Sequence, residues 1–185
     1  DWTDLNDLPL PTGAESDYYL SLDTPYEARN NAEFESVEEI RLIRGFDNLF
    51  KDVNLDAAFT VYGTSRNVNP NFATREALLL LPGMDEDLVE QIIALREKED
   101  ILNMRQIGDI VPLERMVDLA RWIGFNDSGF YSVYAYPAYE VDEQDSVTHA
   151  YMQVMQVRSY QSRGRVFQVQ PYARLPDYAP ARVDD

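Results

Sequence analysis

Apolar residues recur at three- and four-residue intervals between residues 36 and 124, whereas beyond Gly124 they alternate with polar ones. The first texture predicts helices and the second predicts strands. Ser36-Val37-Glu38-Glu39 has the form of a capping box, with Ile40 and Ile43 on one face and Gly45 as a stop, so a short helix is expected there. A further helix is expected from Thr74 to Leu81, ending at Pro82-Gly83. The next, capped by Asp85, runs to Lys98 with Leu88, Ile92 and Leu95 on one stripe, and the pair forms a hairpin. Asn103 to Ile107 reads as a helical turn, and Pro112 as the entry to a helix from Leu113 to Ile123 that Gly124 ends.

Phe130 to Tyr136, Thr148 to Tyr160 and Val166 to Tyr172 read as a three-stranded antiparallel meander. Its connections are an acidic loop, Glu140 to Ser146, and a tight turn at Gln161-Ser162-Arg163-Gly164, with a Pro-rich tail after Leu175. Residues 1–30 behave differently, mixing Pro, Gly, Asp and Asn with clustered tyrosines and no period, as a long loop with a helical turn would. Such a loop is uncommon unless function or a ligand organises it. The expected fold is therefore α+β. A mostly helical domain with an acidic opening loop covers residues 1–124, and a small antiparallel sheet with its tail covers residues 125–185.

Composition narrows the classes. The chain carries 33 acidic and 16 basic residues, a formal charge of −17, yet its 45% hydrophobic content excludes a disordered acidic tail. The longest purely apolar run, Ala77 to Leu81, falls far short of the ~18 to 20 residues that span a bilayer. The opening Asp1-Trp2-Thr3-Asp4 has no basic, apolar, cleavable character, and a preceding segment is expected. The absence of Cys removes disulfides, thiol nucleophiles and cysteine metal ligands, but leaves the compartment open.

Two stretches carry candidate chemistry. Asn67-Val68-Asn69-Pro70-Asn71-Phe72-Ala73-Thr74, followed by Leu81-Pro82-Gly83, reads as a helix-hairpin-helix-like element. DNA-binding versions expose backbone N–H groups at a helix N-terminus to phosphate. Here Asp85, Glu86 and Asp87 stand where phosphate would sit, and the −17 charge opposes a polyanion, so packing or protein contact is the better reading. In the opening loop, Asp1, Asp4, Asn6, Asp7, Glu15 and Asp17 crowd hard oxygen ligands around Gly13, which suits calcium. Laid against an EF-hand loop, Asp4, Asn6 and Glu15 fall at ligand positions one, three and twelve, but Leu8 and Pro9 replace the fifth ligand and the sixth-position glycine. It is not an EF-hand, and mutual repulsion would oppose ordering such a loop without a cation.

Tyr18, Tyr19, Tyr26 and the strand tyrosines read as packing residues with hydroxyls at the rim. Nothing around His149, the only histidine, suggests a nucleophile and base pair, and it is expected to face solvent or a neighbouring strand. No spacing singles out two of the 33 acids as a glycoside-hydrolysing pair, and no catalytic residues are assigned.

Read together, Asp1-Trp2-x-Asp4, Pro9, Gly13-Ala14-Glu15-x-x-Tyr18-Tyr19, Pro25-Tyr26 and Asn30 carry a resemblance. It continues through Phe34-x-Ser36-x-Glu38-Glu39-Ile40-Arg41-x-Ile43-x-Gly45-Phe46, then Asn67-Val68-Asn69 and Leu81-Pro82-Gly83. The chain resembles the type II secretion protein K family, the large minor pseudopilin of the general secretion pathway. The match runs in order up to about Gly124, and the strands fit by pattern. The resemblance implies a helical domain joined to a pilin-like antiparallel sheet, preceded by an N-terminal membrane helix that this chain lacks. It implies a noncatalytic periplasmic subunit, anchored in the bacterial inner membrane when full-length, at the tip of the pseudopilus beside minor pseudopilins I and J. It also implies bound Ca2+, with Asp1, Asp4, Asn6 and Glu15 as the matched ligands. The chain departs from the family in two places: Pro70 and Asn71-Phe72-Ala73 stretch the second asparagine motif, and Asn6 stands where the family has Asp. The alternative is a helix-hairpin-helix DNA-binding or uptake protein, which shares the Asn-x-Asn and Leu-Pro-Gly motifs and would bind DNA in a salt-sensitive way. A calcium-dependent carbohydrate-binding or hydrolytic domain is a third class that no residue favours.

Overall fold

The computed structural model describes residues 1–29, 32–63, 65–135, 149–157 and 163–174. The chain divides into two compact units, residues 1–61 and residues 62–185.

The first unit is built of short pieces: α1 (Ser16–Leu20), a 3-10 helix (Val37–Leu42), α2 (Phe46–Leu49) and α3 (Leu55–Ala58). The opening stretch is irregular apart from α1, as its lack of period predicts. Where the capping box predicts a helix, the chain adopts the tighter 3-10 form, with the Glu39 carboxylate accepting the Ser36 N–H at 3.1 Å. Helices α2 and α3 carry no signal in the sequence because four residues are too few to show a period. The core of this unit is aromatic: Trp2 and Tyr19 meet edge to face at 5.0 Å, and Tyr26 packs 5.3 Å from Tyr19, joined by Ala14 and Ala28. The Tyr26 hydroxyl donates to the Leu42 carbonyl at 2.8 Å, so the rim position expected for a tyrosine hydroxyl is here a tie to the 3-10 helix.

The helical part of the second unit holds α4 (Arg75–Leu79), α5 (Glu86–Arg96), α6 (Met104–Gly108) and α7 (Leu113–Leu119). Each of the first three begins at a side-chain cap, the one at Asp85 as expected: Thr74 accepts from Ala77 N–H, Asp85 from Leu88 N–H, and Asn103 from Arg105 N–H. Their inward faces meet in one core of Leu78, Val89, Ile92, Ile101, Ile107 and Leu119. Burying each such side chain contributes about 1.5 to 3 kcal/mol. Helix α7 stops at Leu119, short of the expected Ile123. The reason is tertiary: Val68 forms a parallel bridge with Ile123, donating to the Trp122 carbonyl at 2.7 Å and accepting from Gly124 N–H at 3.0 Å, which takes these backbones out of the helix.

The asparagines of the Asn67 to Asn71 stretch hold that closure. Asn67 donates to the carbonyls of Arg121 and Ile123, Asn69 to that of Asn126, and Asn71 exchanges both its amide groups with the backbone of Ile101, at 2.8 and 2.9 Å. The motif works as a clip between the start and end of the helical region.

Strands β1 (Phe130–Ala135), β2 (His149–Gln156) and β3 (Arg165–Arg174) form the expected antiparallel meander, in the order β1-β2-β3. The register sets Tyr131 opposite Met155 and Gln153 opposite Val169, with irregularities between Ala150 and Met152 and between Val154 and Met155. One face buries Met152, Val154 and Ala173 with Tyr62 and Tyr134, and the Tyr62 hydroxyl bonds Gln168 at 3.0 Å. The other leaves Tyr131, Val133, Tyr151 and Val169 exposed. The backbone of His149 pairs with Arg174. The acidic loop Glu140 to Ser146, Gln161 and Ser162 of the predicted turn, and the tail after Leu175 lie outside the described residues. Among the described residues no helix is long and apolar enough to cross a membrane.

Candidate metal centre

The opening loop folds back on itself. Pro11 and Thr12 make a turn in which Gly13 N–H donates to the Leu10 carbonyl at 3.0 Å, and the Asp1 carboxylate accepts the Leu10 N–H at 3.0 Å. This brings Asp1 against Gly13, where a Cβ would lie 1.5 Å from Asp1 Oδ2, so only glycine leaves room for the carboxylate. Arg44 holds the turn from outside: its guanidinium donates to the Gly13 carbonyl at 3.1 Å and lies 4.9 Å from the centre of the Tyr18 ring. Two residues beyond Gly13 the chain enters α1 with Glu15 as its N-cap residue.

The result is a cluster of three carboxylates. One oxygen each from Asp1, Asp4 and Glu15 lies within 4.8 Å of the others. Glu15 is 7% exposed, and neither of its carboxylate oxygens has a hydrogen-bond partner. Asp4 Oδ1 is also buried and without one. A buried carboxylate lacking a donor forfeits its hydration without compensation, and two neighbouring carboxylates add repulsion. A cation at their centre removes both costs. Three hard oxygen donors without nitrogen or sulfur suit calcium or magnesium rather than a softer metal.

Asn6 stands beside the cluster: its amide donates to Asp4 Oδ2 at 2.7 Å, and its carbonyl oxygen accepts the Leu8 N–H at 3.0 Å. It thereby orients the Asp4 carboxylate. Asp7 and Asp17 are exposed and fall outside the cluster.

Sequence reasoning missed the brace behind the site. Trp2, between the two aspartates, passes its carbonyl to Arg29 N–H at 2.9 Å. The Arg29 guanidinium pairs with the buried carboxylate of Glu39, its Nε donating at 2.6 Å, and Glu39 also accepts the N–H groups of Glu35 and Ser36. These donors, Arg29 first, lower the Glu39 pKa from 4.5 to about 2, and the same contact raises that of Arg29. The capping box marked Glu39, but its partner lies ten residues away and carries no local signal.

The family model of type II secretion system (T2SS), protein K, first domain, matches residues 1–53. Over these residues the chain is similar to the first domain of protein K. The matched residues contain the carboxylate cluster, the Trp2, Tyr19 and Tyr26 core, and the Arg29–Glu39 brace, and they lie within the first compact unit. No curated protein and no solved structure matches the chain.

In the second unit, the hairpin between α4 and α5 is closed by side chains. Gly83 takes the left-handed conformation at φ +75°, which lets the chain turn after Pro82. Arg115 donates to the Gly83 carbonyl at 2.9 Å and to Asp85 Oδ2 at 2.7 Å. With Leu88 N–H on its other oxygen, Asp85 is held below its usual pKa, the Arg115 contact being the larger cause. The α5 N-terminus therefore already holds an anion, its own.

Proposed function

We infer that the chain is a pseudopilin of the type II secretion system, the noncatalytic protein K subunit at the tip of the pseudopilus, supporting protein export across the outer membrane. The observation that carries this reading is the protein K first-domain match over residues 1–53. The helical part through residue 124 is the bulky tip domain, and residues 125–185 form the pilin-like sheet. In the full-length protein a preceding apolar helix anchors the subunit in the inner membrane and packs on the sheet, whose exposed Tyr131, Val133, Tyr151 and Val169 supply an apolar face. The domain itself stands in the periplasm, with minor pseudopilins I and J as partners.

Calcium is the cation this reading places among Asp1, Asp4 and Glu15, with Asn6 supporting Asp4 or completing the ligand set. Ca2+ takes six to eight oxygens, so water and backbone carbonyls supply the rest. Its role is structural, tying the start of the loop to the start of α1.

Co-expression of this chain with the soluble domains of pseudopilins I and J tests the assignment. A stable three-component complex on size exclusion is expected. An I–J pair that forms while excluding this chain would overturn it, and salt-sensitive retention on duplex DNA would move the assignment to the uptake class.

A further inference from the structure

Helix α7 has two unlike sides. Met116 and Leu119 pack into the helical core, while Leu113 and Val117, one turn apart on the same face, are 81% and 65% exposed. Just beyond the helix, Trp122 is 48% exposed and lines an open pocket of about 340 Å3 with Arg66, Pro82, Asp118 and Arg121. Two large aliphatic residues and an indole give this short segment an apolar surface, as Leu5, Leu8 and Leu10 do the opening loop.

The pocket also presents two guanidiniums, those of Arg66 and Arg121. Arg29, Arg41, Arg44, Arg75, Arg96 and Arg115 are all engaged by carboxylates or backbone carbonyls. The guanidiniums of Arg66 and Arg121 have no hydrogen-bond or ion-pair partner among the described residues, a state they share with those of Arg105, Arg163 and Arg165. A pocket lined by Trp122 and Pro82 together with two unpaired guanidiniums suits an acidic peptide in which one apolar side chain is flanked by carboxylates. Trp and Arg are the residue types that most often dominate the energy of protein contacts, and a guanidinium binds a carboxylate through paired N–H donors.

We propose that the Trp122 pocket and the outer face of α7 form a docking site for an acidic, apolar-anchored peptide segment of a partner protein. A nucleic acid is a poorer occupant, because repulsion from a chain of charge −17 grows with the charge of the ligand, and two guanidiniums can pair with a few carboxylates but not with a polyanion. This inference does not depend on the secretion assignment or on the cation site.

Selection of a displayed library of random linear peptides against the whole chain tests it. The expected consensus holds acidic residues around one large aliphatic or aromatic residue. A labelled consensus peptide is expected to shift the emission of Trp122, the exposed member of the two tryptophans, and to bind Trp122→Ala and Arg121→Glu about tenfold more weakly or worse. Arg105→Glu, a charge reversal on α6, controls for overall charge and is expected to bind as the unaltered chain does. Arg66→Glu provides a second surface variant should Trp122→Ala unfold. A consensus without acids, peptides that bind all variants equally, or displacement of the peptide by a DNA oligonucleotide would each overturn the proposal.

Discussion

The carboxylate of Asp1 occupies the space that a side chain at Gly13 would need: a Cβ there would stand 1.5 Å from Oδ2 and 2.5 Å from Cγ. Twelve residues apart in sequence, the two fit together only because one has no side chain. The same contact brings the Asp1 oxygens to Asp4 and Glu15 and lets them accept Leu10 N–H.

Gly13→Ala is therefore expected to expel Asp1 from the cluster. The overlap costs about 1 to 3 kcal/mol as the loop shifts, and any calcium-dependent rise in stability disappears with it. Thermal unfolding in calcium and in chelator checks both effects. A variant that keeps the calcium increment would show that Asp1 is not a ligand.

Glu15→Gln separates the cost of the buried charge from its use. Without divalent cation the variant is expected to be more stable than the native chain by about 1 kcal/mol or more, because an unpartnered buried carboxylate is gone. With calcium at ~100 times its dissociation constant the native chain gains about 2.7 kcal/mol and the variant does not, so the order reverses. Denaturant titrations with calcium, magnesium and chelator read this crossing. An equal calcium gain in both proteins would place the ion elsewhere.

The Arg29–Glu39 brace predicts a pH dependence. The Glu39 carboxyl titrates at about 2 in the folded chain against 4.5 ordinarily, so folding favours its charged form. Its contribution is complete above pH 4.5, declines as the pH falls toward 2, and is absent below. Glu39→Gln is expected to lose about 2 kcal/mol at neutral pH, a penalty that shrinks across this acidic interval. Urea unfolding of both proteins at several pH values measures the difference. A penalty unchanged at pH 2 would mean that packing, not charge, makes the contact.

Asn71→Ala tests the clip. The substitution leaves the N–H and carbonyl of fully buried Ile101 without their partners, and an expected loss of about 2 to 4 kcal/mol follows from two unsatisfied backbone groups. Loss of early protection at Ile101 in hydrogen exchange would locate the effect. A loss under about 0.5 kcal/mol would show that water replaces the amide.

The amino-acid sequence by itself determined what is decided within a few residues. The cap at Asp85 and the helix starts at Thr74 and Asn103 are set by N–H groups within three residues, so they were legible, as was the alternation that makes β1 to β3 a meander. It also determined the type of chemistry in the opening loop, hard oxygens and nothing softer, and the motifs by which residues 1–53 resemble protein K. Tertiary structure alone decided which of the crowded acids converge. Asp1, Asp4 and Glu15 do, while Asp7 and Asp17 point to solvent, because the turn at Gly13 and the aromatic core behind it choose the path of the chain. It also decided that α7 ends at Leu119, since the bridge to Val68 competes for the backbone of the next turn, and that Glu39 answers Arg29. Such outcomes depend on distances between segments far apart in the chain, and a local pattern holds no record of those.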